Sequence, residues 1–159
     1  MIIGISGHRR LGSYDIPNNP VYLDVKKRLT EKLLELKPDV VITGMAIGCD
    51  ILVAEICVEN NIPFVAAIPF EGQTNAWSDK DRDNYNMLLT KAKQVVMVNP
   101  GGYEGWKYQA RNEWIVDNCD ELVAVYDLKV RAGGTKNCLN YAWKINKRIH
   151  LIQIDNKKD

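Results

Sequence analysis

The sequence predicts an α/β fold of the Rossmann-like type, a doubly wound, mostly parallel six-stranded sheet with helices on both faces. Two observations predict it. Short apolar runs alternate with stretches of helical length, and most of the glycine-rich and basic segments follow the apolar runs. In an open α/β sheet, the segments that follow the strands meet at one edge, where ligands bind.

Six apolar runs have the length and composition of buried strands. They are residues 2–5, 40–43, 64–68, 95–98, 122–126 and 149–154. Each gap between consecutive runs has room for a helix, which gives the order β-α-β-α-β-α-β-α-β-α-β. Right-handed crossover connections between such strands produce a parallel sheet that is covered on both sides.

The stretches between the runs carry helix signals of their own. Residues 21–36 and residues 139–145 place apolar side chains on one face, and Trp143 is expected in the core on this pattern. Residues 51–58 form an apolar helix, and Ser78 with an aspartate three positions later is a capping signal. These helices are the predicted crossovers.

The bulk composition predicts one globular domain over residues 1–159. Apolar residues make up 46% of the chain, and 21 basic residues nearly cancel 20 acidic ones. A net charge of +1 argues against a protein that coats nucleic acid, although a phosphate needs only a few well-placed cations. We therefore expect a small-molecule partner, with nucleic acid as a weaker expectation.

The cysteines and the amino terminus predict a cytoplasmic protein. The four cysteines form no CxxC pair and the two histidines are far apart, so we expect no metal site and four buried free thiols. The first residues read as a strand without a signal-peptide pattern, and no apolar run has the roughly 20 residues of a membrane span. No membrane association is expected.

The segment that follows the first strand is the first candidate binding loop. Gly7 allows a sharp turn and a close approach to a ligand, and His8, Arg9 and Arg10 bring hydrogen-bond donors suited to phosphate or ribose oxygens. The alternative is that the two arginines only solvate a surface loop. Their position after a buried strand favours binding.

The segment that follows the second strand is the second candidate. Gly44 and Gly48 would free backbone N–H groups near Met45, and the helix that follows would add its partial positive charge. The alternative is a helix packed tightly on the sheet, with Asp50 as an ordinary acidic residue of its first turn. The spacing differs from the dinucleotide pattern GxGxxG.

The third candidate precedes the last helix. Gly133, Gly134 and Thr135 resemble a small phosphate-binding nest at a helix start. Lys129, Arg131 and Lys136 would deepen the positive potential there, although the first two also suit a charged surface hairpin. Here binding is the favoured interpretation.

Further candidates come from the loop after the third strand and from the fourth helix. Glu71, Gln73 and Trp77 are expected to contact the base or another part of a ligand. Arg111 and Glu113, expected at the start of the fourth helix, either face the cleft or form a surface ion pair. Aromatic side chains near these loops either stack on a base or cover the core, and they are Trp77, Tyr103, Trp106 and Tyr108.

Taken in order, these segments resemble the SLOG superfamily, which includes the DprA/Smf proteins and the LOG phosphoribohydrolases. The resemblance rests on ISGHR, TGMAIGCDILVAE, PFEGQ and AGGT, covers nearly the whole chain, and is strongest to the YpsA-like branch through YQARNEWIVDNCDELVAVYD. It implies a Rossmann-like fold. It also implies a ligand that is a nucleotide, a nucleotide-derived signal or single-stranded DNA.

One departure from the resembling enzymes bears on catalysis. LOG enzymes carry a glutamate a few residues after a glycine-threonine pair, and this chain has Cys138 at the third position after Thr135. Hydrolysis of an N-glycosidic bond by that arrangement is therefore disfavoured. Glu71, Asp50 or Glu113 would have to supply a carboxylate from a neighbouring loop instead.

The preferred hypothesis is a module that binds a nucleotide or nucleotide-derived ligand as a sensor or sequestering protein. Its phosphates would bind the three glycine-bearing loops, without a further cofactor or catalytic residue. The alternatives are a nucleotide N-glycosidic hydrolase and, third, a domain that binds single-stranded nucleic acid in the manner of DprA. A homo-oligomer, most simply a symmetric dimer, is expected.

Overall fold

The computed structural model describes residues 1–12, 16 and 18–156. The strands are β1 (Ile2–Gly7), β2 (Val40–Thr43), β3 (Phe64–Ile68), β4 (Gln94–Met97), β5 (Glu121–Asp127) and β6 (Arg148–Ile154). The helices are α1 (Pro20–Leu36), α2 (Cys49–Glu59), α3 (Asp79–Lys91), α4 (Trp106–Asn118) and α5 (Gly134–Lys144). The elements alternate along the chain as the sequence predicts.

The strands of the described residues form one sheet in the order β4-β3-β2-β1-β5-β6, and every neighbouring pair is parallel. From β1 the chain builds outward through β2, β3 and β4, and it then crosses back to add β5 and β6 on the other side. The strand order reverses at the β1/β5 pair. Ligands of open α/β sheets bind at this kind of switch point.

Alternating side chains of the strands pack against two helical layers. Ile3 and Ile5 of β1 join the core cluster that lies against α1, α2 and α3. Leu122 and Ala124 of β5 point to the opposite face, where α5 contributes Leu139 to a second cluster. Strands that are buried on both faces explain why their sequences are continuous apolar runs.

The helix starts follow local signals. The Asn19 side chain accepts a hydrogen bond from the Tyr22 amide at the start of α1, and Pro20 occupies the first turn, where a missing N–H costs nothing. Ser78 accepts a hydrogen bond from the Asp81 amide at the start of α3, as the capping signal predicts.

Three details differ from the sequence predictions. α4 begins at Trp106, so Arg111 is its sixth residue and not part of its start. α5 begins at Gly134, because Gly134 and Thr135 adopt helical structure ahead of the first strongly apolar position, with Gly133 as the capping residue. The prediction for Trp143 is wrong, since 48% of it is exposed; Cys138, Leu139 and Ala142 form the buried face of α5 instead.

All four cysteines are buried free thiols, as the sequence predicts. Burial raises the pKa of Cys57 to about 12 and that of Cys138 to about 11. The Cys138 thiol therefore stays protonated at neutral pH. None of the described helices combines the length and the apolar character that a bilayer crossing requires.

Candidate functional site: a cavity at the sheet switch point

A cavity of about 540 Å³ opens at the carboxyl ends of β1 and β5, between the starts of α2 and α5 and one face of α4. Its volume lies in the range of small-molecule sites. Nine of the residues singled out in the sequence line it: Gly7, His8, Arg9, Asp50, Tyr108, Arg111, Gly133, Gly134 and Thr135. Segments that are up to 128 positions apart (7 to 135) thus meet in one cavity.

The other candidate residues lie outside this cavity. Gln73 and Trp77 line a neighbouring cavity of about 30 Å³ together with Arg9 and Tyr108, and Glu71 is exposed without lining either. The cavity lining also lacks Arg10, Gly44, Met45 and Gly48. The loop after β2 therefore contributes mainly Ala46 and Asp50 to the cavity, and its glycines serve another purpose.

Gly7 and Gly48 allow α2 to begin close to β1. A Cβ on Gly7 would lie 2.3 Å from the Cys49 sulfur, and a Cβ on Gly48 would lie 2.2 Å from the Arg9 carbonyl oxygen. Gly48 also has a φ of 90°, which side-chain-bearing residues rarely adopt. The Cys49 amide donates to the His8 carbonyl, so the first N–H of α2 is engaged by the protein itself.

Gly44 makes room for a buried arginine. A Cβ on Gly44 would lie 2.6 Å from Nη1 of Arg111, and that nitrogen donates to the Gly44 carbonyl at 2.6 Å and to the Ala67 carbonyl at 3.4 Å. Nε donates to the Asn112 side chain at 3.0 Å. Arg111 is 3% exposed and lines the cavity. Of the two alternatives that the sequence left open, it therefore faces the cleft and does not form a surface ion pair.

Asp50 brings the opposite charge to the same wall. It is 8% exposed, and its Oδ2 accepts a hydrogen bond from the Ala46 amide at 3.3 Å. Burial raises the pKa of the Asp50 carboxyl, and the nearby Arg111 guanidinium opposes that rise. Asp50 is the only acidic residue among the described residues that line the cavity.

His8 connects β1 to β5 beside the cavity. Its Nε2 accepts a hydrogen bond from the Asp127 amide at 2.9 Å, which requires the neutral imidazole. Burial lowers the pKa of His8, while the Asp127 carboxylate opposes this change. His8 therefore acts here as a neutral acceptor and not as a cation.

The start of α5 is open to the cavity. Gly133 has a φ of 110°, and among the described residues neither Gly133 nor Gly134 has a heavy atom of a residue beyond its local backbone within 4 Å of the position that a Cβ would take. The first turn contains no acidic residue and includes Lys136. Lys129 instead pairs with Asp155 at 2.8 Å, away from the cavity lining.

Arg9 and Tyr108 form the rim between the two cavities. The Arg9 guanidinium lies 4.9 Å from the centre of the Tyr108 ring, and Tyr108 packs edge-on against Phe70. Both side chains line both cavities. Of the aromatic residues considered in the sequence, Tyr108 is thus the one that reaches the larger cavity.

Sequence reasoning missed the polar face of α4. Gly105, Gln109 and Asn112 line the cavity beside Tyr108, and their numbers follow the i, i+3, i+4 and i+7 spacing of one helix face. That spacing was a readable signal. Nothing in the sequence, however, says which face of this helix meets the sheet edge.

Comparison with known proteins supports the same architecture. The model of the YspA SLOG family (YpsA) matches residues 4–157. The SPbeta prophage-derived protein YoqJ of Bacillus subtilis strain 168 is 33% identical over 79% of this chain and 84% of its own length.

Two solved structures share the fold at low sequence identity. DNA processing protein A from Helicobacter pylori, described for its single-stranded DNA binding mode, is 17% identical with a TM-score of 0.65 over 95% of this chain. The chain spans 64% of that protein, which is less than two thirds of its length. A molybdenum cofactor binding protein from Rippkaea orientalis is 19% identical, with a TM-score of 0.61 over 97% of this chain and 77% of its own.

The fold, the order of the glycine-bearing loops and the family match over nearly the whole length agree. The chain belongs to the YspA SLOG family.

Proposed function

We propose that the cavity binds a nucleotide or nucleotide-derived ligand, and that the protein acts as a sensor or sequestering module for it. The observation that carries this proposal is the uncovered first turn of α5, whose glycines line the cavity without a side chain in front of them. Backbone N–H groups at a helix start, together with the helix dipole, attract phosphate oxygens.

The charges around the cavity support an anionic group at this position. Arg9 lines the cavity, and Lys136 belongs to the first turn of α5. Asp50, the single acidic residue that lines the cavity among the described residues, is in the first turn of α2 and not of α5. A phosphate at Gly133–Thr135 thus has basic neighbours and no carboxylate within the same helical turn.

The aromatic rim supports a base at the other end of the ligand. Tyr108 and Arg9 present a ring and a guanidinium plane, which are the surfaces on which bases stack. The sequence favoured the Glu71–Trp77 loop for this contact. Because Gln73 and Trp77 line only the small neighbouring cavity, we assign the base to the Arg9–Tyr108 rim.

A charge placed at the start of α5 tests the proposal. Isothermal titration calorimetry would measure binding of AMP, ADP-ribose, NAD, cyclic ADP-ribose forms and cyclic dinucleotides to the wild type, Gly134→Asp and Gly134→Ala. We expect at least one ligand to bind the wild type. Gly134→Asp should weaken it about tenfold or more by repulsion, whereas Gly134→Ala should change affinity less than about threefold.

This pair of variants separates binding from folding. Within the described part of the chain, the added Cβ meets no non-neighbouring atom within 4 Å in either variant, and an aspartate in the first turn of a helix favours the helix dipole. The midpoint temperature of thermal unfolding should therefore be unchanged or slightly higher in Gly134→Asp. Absence of heat and of thermal shift with every ligand would contradict the proposal.

One observation favours hydrolysis of an N-glycosidic bond as the second candidate. Asp50 supplies a carboxyl group to the cavity, whereas Glu71 and Glu113 do not line it. Chromatography of AMP after long incubation with the protein would detect free adenine if this activity exists, and Asp50→Asn should abolish its release. Intact AMP throughout would leave binding alone.

A further inference from the structure

Two buried groups of opposite charge line the same cavity without pairing with one another. Asp50 is 8% exposed and Arg111 is 3% exposed, and each influences the other electrostatically. Among the described residues, Asp50 and Arg111 form no ion pair with each other, since none of their nitrogen–oxygen distances is 4.0 Å or less. Buried charges are normally paired, because an unpaired one has lost its hydration without compensation.

Each group keeps one terminal atom without a hydrogen bond to the described residues. Arg111 uses Nε and Nη1, which leaves Nη2, and Asp50 uses Oδ2, which leaves Oδ1. The buried polar atoms that lack a partner within the described residues belong to Gln73 and Gln109, so neither Nη2 nor Oδ1 is sealed in the protein interior. The space that both residues line is the cavity.

The chemistry of these two atoms restricts what can lie between them. Nη2 of Arg111 needs an acceptor, and Oδ1 of the Asp50 carboxylate needs a donor. An ionised phosphate offers acceptors only and is repelled by Asp50, while an amine offers donors only and is repelled by Arg111. A hydroxyl group accepts and donates at once, so two hydroxyls on adjacent carbons have the chemistry to accept from Arg111 and donate to Asp50.

Resting on the proposed function, we infer that Asp50 and Arg111 form a sugar subsite, in which the vicinal hydroxyls of a ribose donate to Asp50 and accept from Arg111. The phosphate then lies across the cavity at Gly133–Thr135. This arrangement separates the two charged ends of the site: the carboxylate meets the neutral sugar, and the open helix start meets the anion. The site would prefer ribose over deoxyribose ligands.

The test compares ligands that differ only in the sugar hydroxyls. Calorimetry would measure AMP against 2′,3′-dideoxy-AMP, and ribose 5-phosphate against 2-deoxyribose 5-phosphate. We expect the wild type to bind the ribose member of a pair at least about tenfold more tightly, because a buried charged group is left unpaired by the deoxy ligand.

Variants assign this preference to Asp50. Asp50→Ala should reduce the ribose-to-deoxyribose affinity ratio to below about twofold. Gly134→Asp should weaken both members by a similar factor and leave the ratio intact, since it acts on the phosphate. Asp83→Ala, an exposed aspartate on α3 away from the cavity, should change neither affinity nor ratio.

The possible outcomes are distinguishable. Asp50→Asn keeps the size of the side chain and should also lower the ratio, so it replaces Asp50→Ala if thermal unfolding shows that the alanine variant does not fold. Equal affinity for ribose and deoxyribose ligands would overturn the sugar subsite and leave the proposed function standing. If neither AMP nor ribose 5-phosphate binds while another ligand of the panel does, the sugar subsite would also be overturned. No binding by any ligand would overturn the proposed function and this inference with it.

Discussion

The starts of α2 and α5 face the same cavity, and both follow a glycine, but they differ in what they offer to a ligand. At α2 the capping Gly48 lies against the Arg9 backbone, the Cys49 amide donates to the His8 carbonyl, and the first turn contains Asp50. At α5 the capping Gly133 is exposed and the first turn carries no acid.

The difference shows that a glycine before a helix has two opposite uses. In α2 the missing Cβ lets protein atoms come close, so the amides are engaged internally and a carboxylate already meets the helix dipole. In α5 the missing Cβ leaves space for an external anion. The four predictions below test this contrast, in order of decreasing effect.

The largest effect is expected from giving each capping glycine a methyl group. Gly48→Ala combines a positive φ with a Cβ only 2.2 Å from the Arg9 carbonyl oxygen, so we expect a loss of about 3–5 kcal/mol in the free energy of unfolding. Gly133→Ala meets no atom within 4 Å and carries only the conformational strain, about 1–2 kcal/mol. Urea unfolding measures both, and equal losses would contradict the contrast.

The next effect concerns the cation behind the start of α2. Arg111→Met removes the donor to the Gly44 carbonyl. It also removes the positive charge that stabilises the buried Asp50 carboxylate. Together these losses should lower the free energy of unfolding by about 2–4 kcal/mol. Lys136→Met removes the cation from the first turn of α5, where Lys136 lies over the Trp143 ring at 5.0 Å, and should change stability by less than about 1 kcal/mol. Urea titrations of the two variants side by side check this difference.

A smaller effect should appear in the pH dependence of stability. Burial raises the pKa of Asp50, so the folded state binds a proton that the unfolded state has released. Asp50 therefore contributes most below its ordinary pKa, and this contribution is lost as the pH rises through the raised folded value. Relative to Asp50→Asn, the wild type should lose about 1 kcal/mol or more between pH 4 and pH 7.

The control for this comparison is Asp83→Asn, which removes an exposed carboxyl group of α3. Its difference from the wild type over the same pH range gives the baseline for an exposed carboxyl group. Urea midpoints at pH 4, 5, 6 and 7 give both curves. A wild type that gains stability relative to Asp50→Asn as the pH rises would show that the Arg111 charge outweighs burial.

The smallest effect is expected for His8, whose carbonyl binds the start of α2 and whose ring accepts from the Asp127 amide at the end of β5. Burial lowers the pKa of His8, so the unfolded state binds a proton at a pH at which the folded state does not. The stability from His8 is present above the ordinary imidazole pKa and is lost as the pH falls through the window below it. Between pH 7.5 and pH 5.5, His8 should cost the wild type less than about 1 kcal/mol in free energy of unfolding. In His8→Gln, whose side chain retains an acceptor, this pH-dependent loss should be absent, as urea midpoints at the two pH values would show.

The fold was predictable because its signals are local. The apolar runs became β1 to β6 within two residues at each end, since the central strands, which are buried on both faces, need consecutive apolar side chains. The prediction that the fourth run is a buried strand is wrong, because β4 lies at the edge of the sheet and most of its side chains are exposed. The Ser78 cap of α3 needed only three positions to be recognised. Trp143 was predicted wrongly because a short amphipathic pattern does not say where its buried face ends.

The candidate site was predictable in part. That Gly7, His8 and Gly133–Thr135 lie at one edge follows from the order of strands and loops, and the structure places them in one cavity. The sequence did not distinguish the filled glycines from the open ones. Gly44 and Gly134 both lie in segments that follow strands, but a guanidinium from α4 occupies the space beside Gly44, whereas no described side chain beyond its chain neighbours lies within 4 Å of the Cβ position of Gly134.

The sequence by itself determined the alternation of strands and helices, the edge at which the chemical groups gather, and the supply of glycines and cations at that edge. Only the tertiary structure decided that Arg111 and Asp50 share a wall without pairing, that α2 is closed and that α5 is open. The physical reason is that strand and helix formation depend on neighbours along the chain. Which backbone amide or charged group lacks a protein partner depends on side chains from segments that are distant in sequence. A local sequence pattern does not show where those side chains lie.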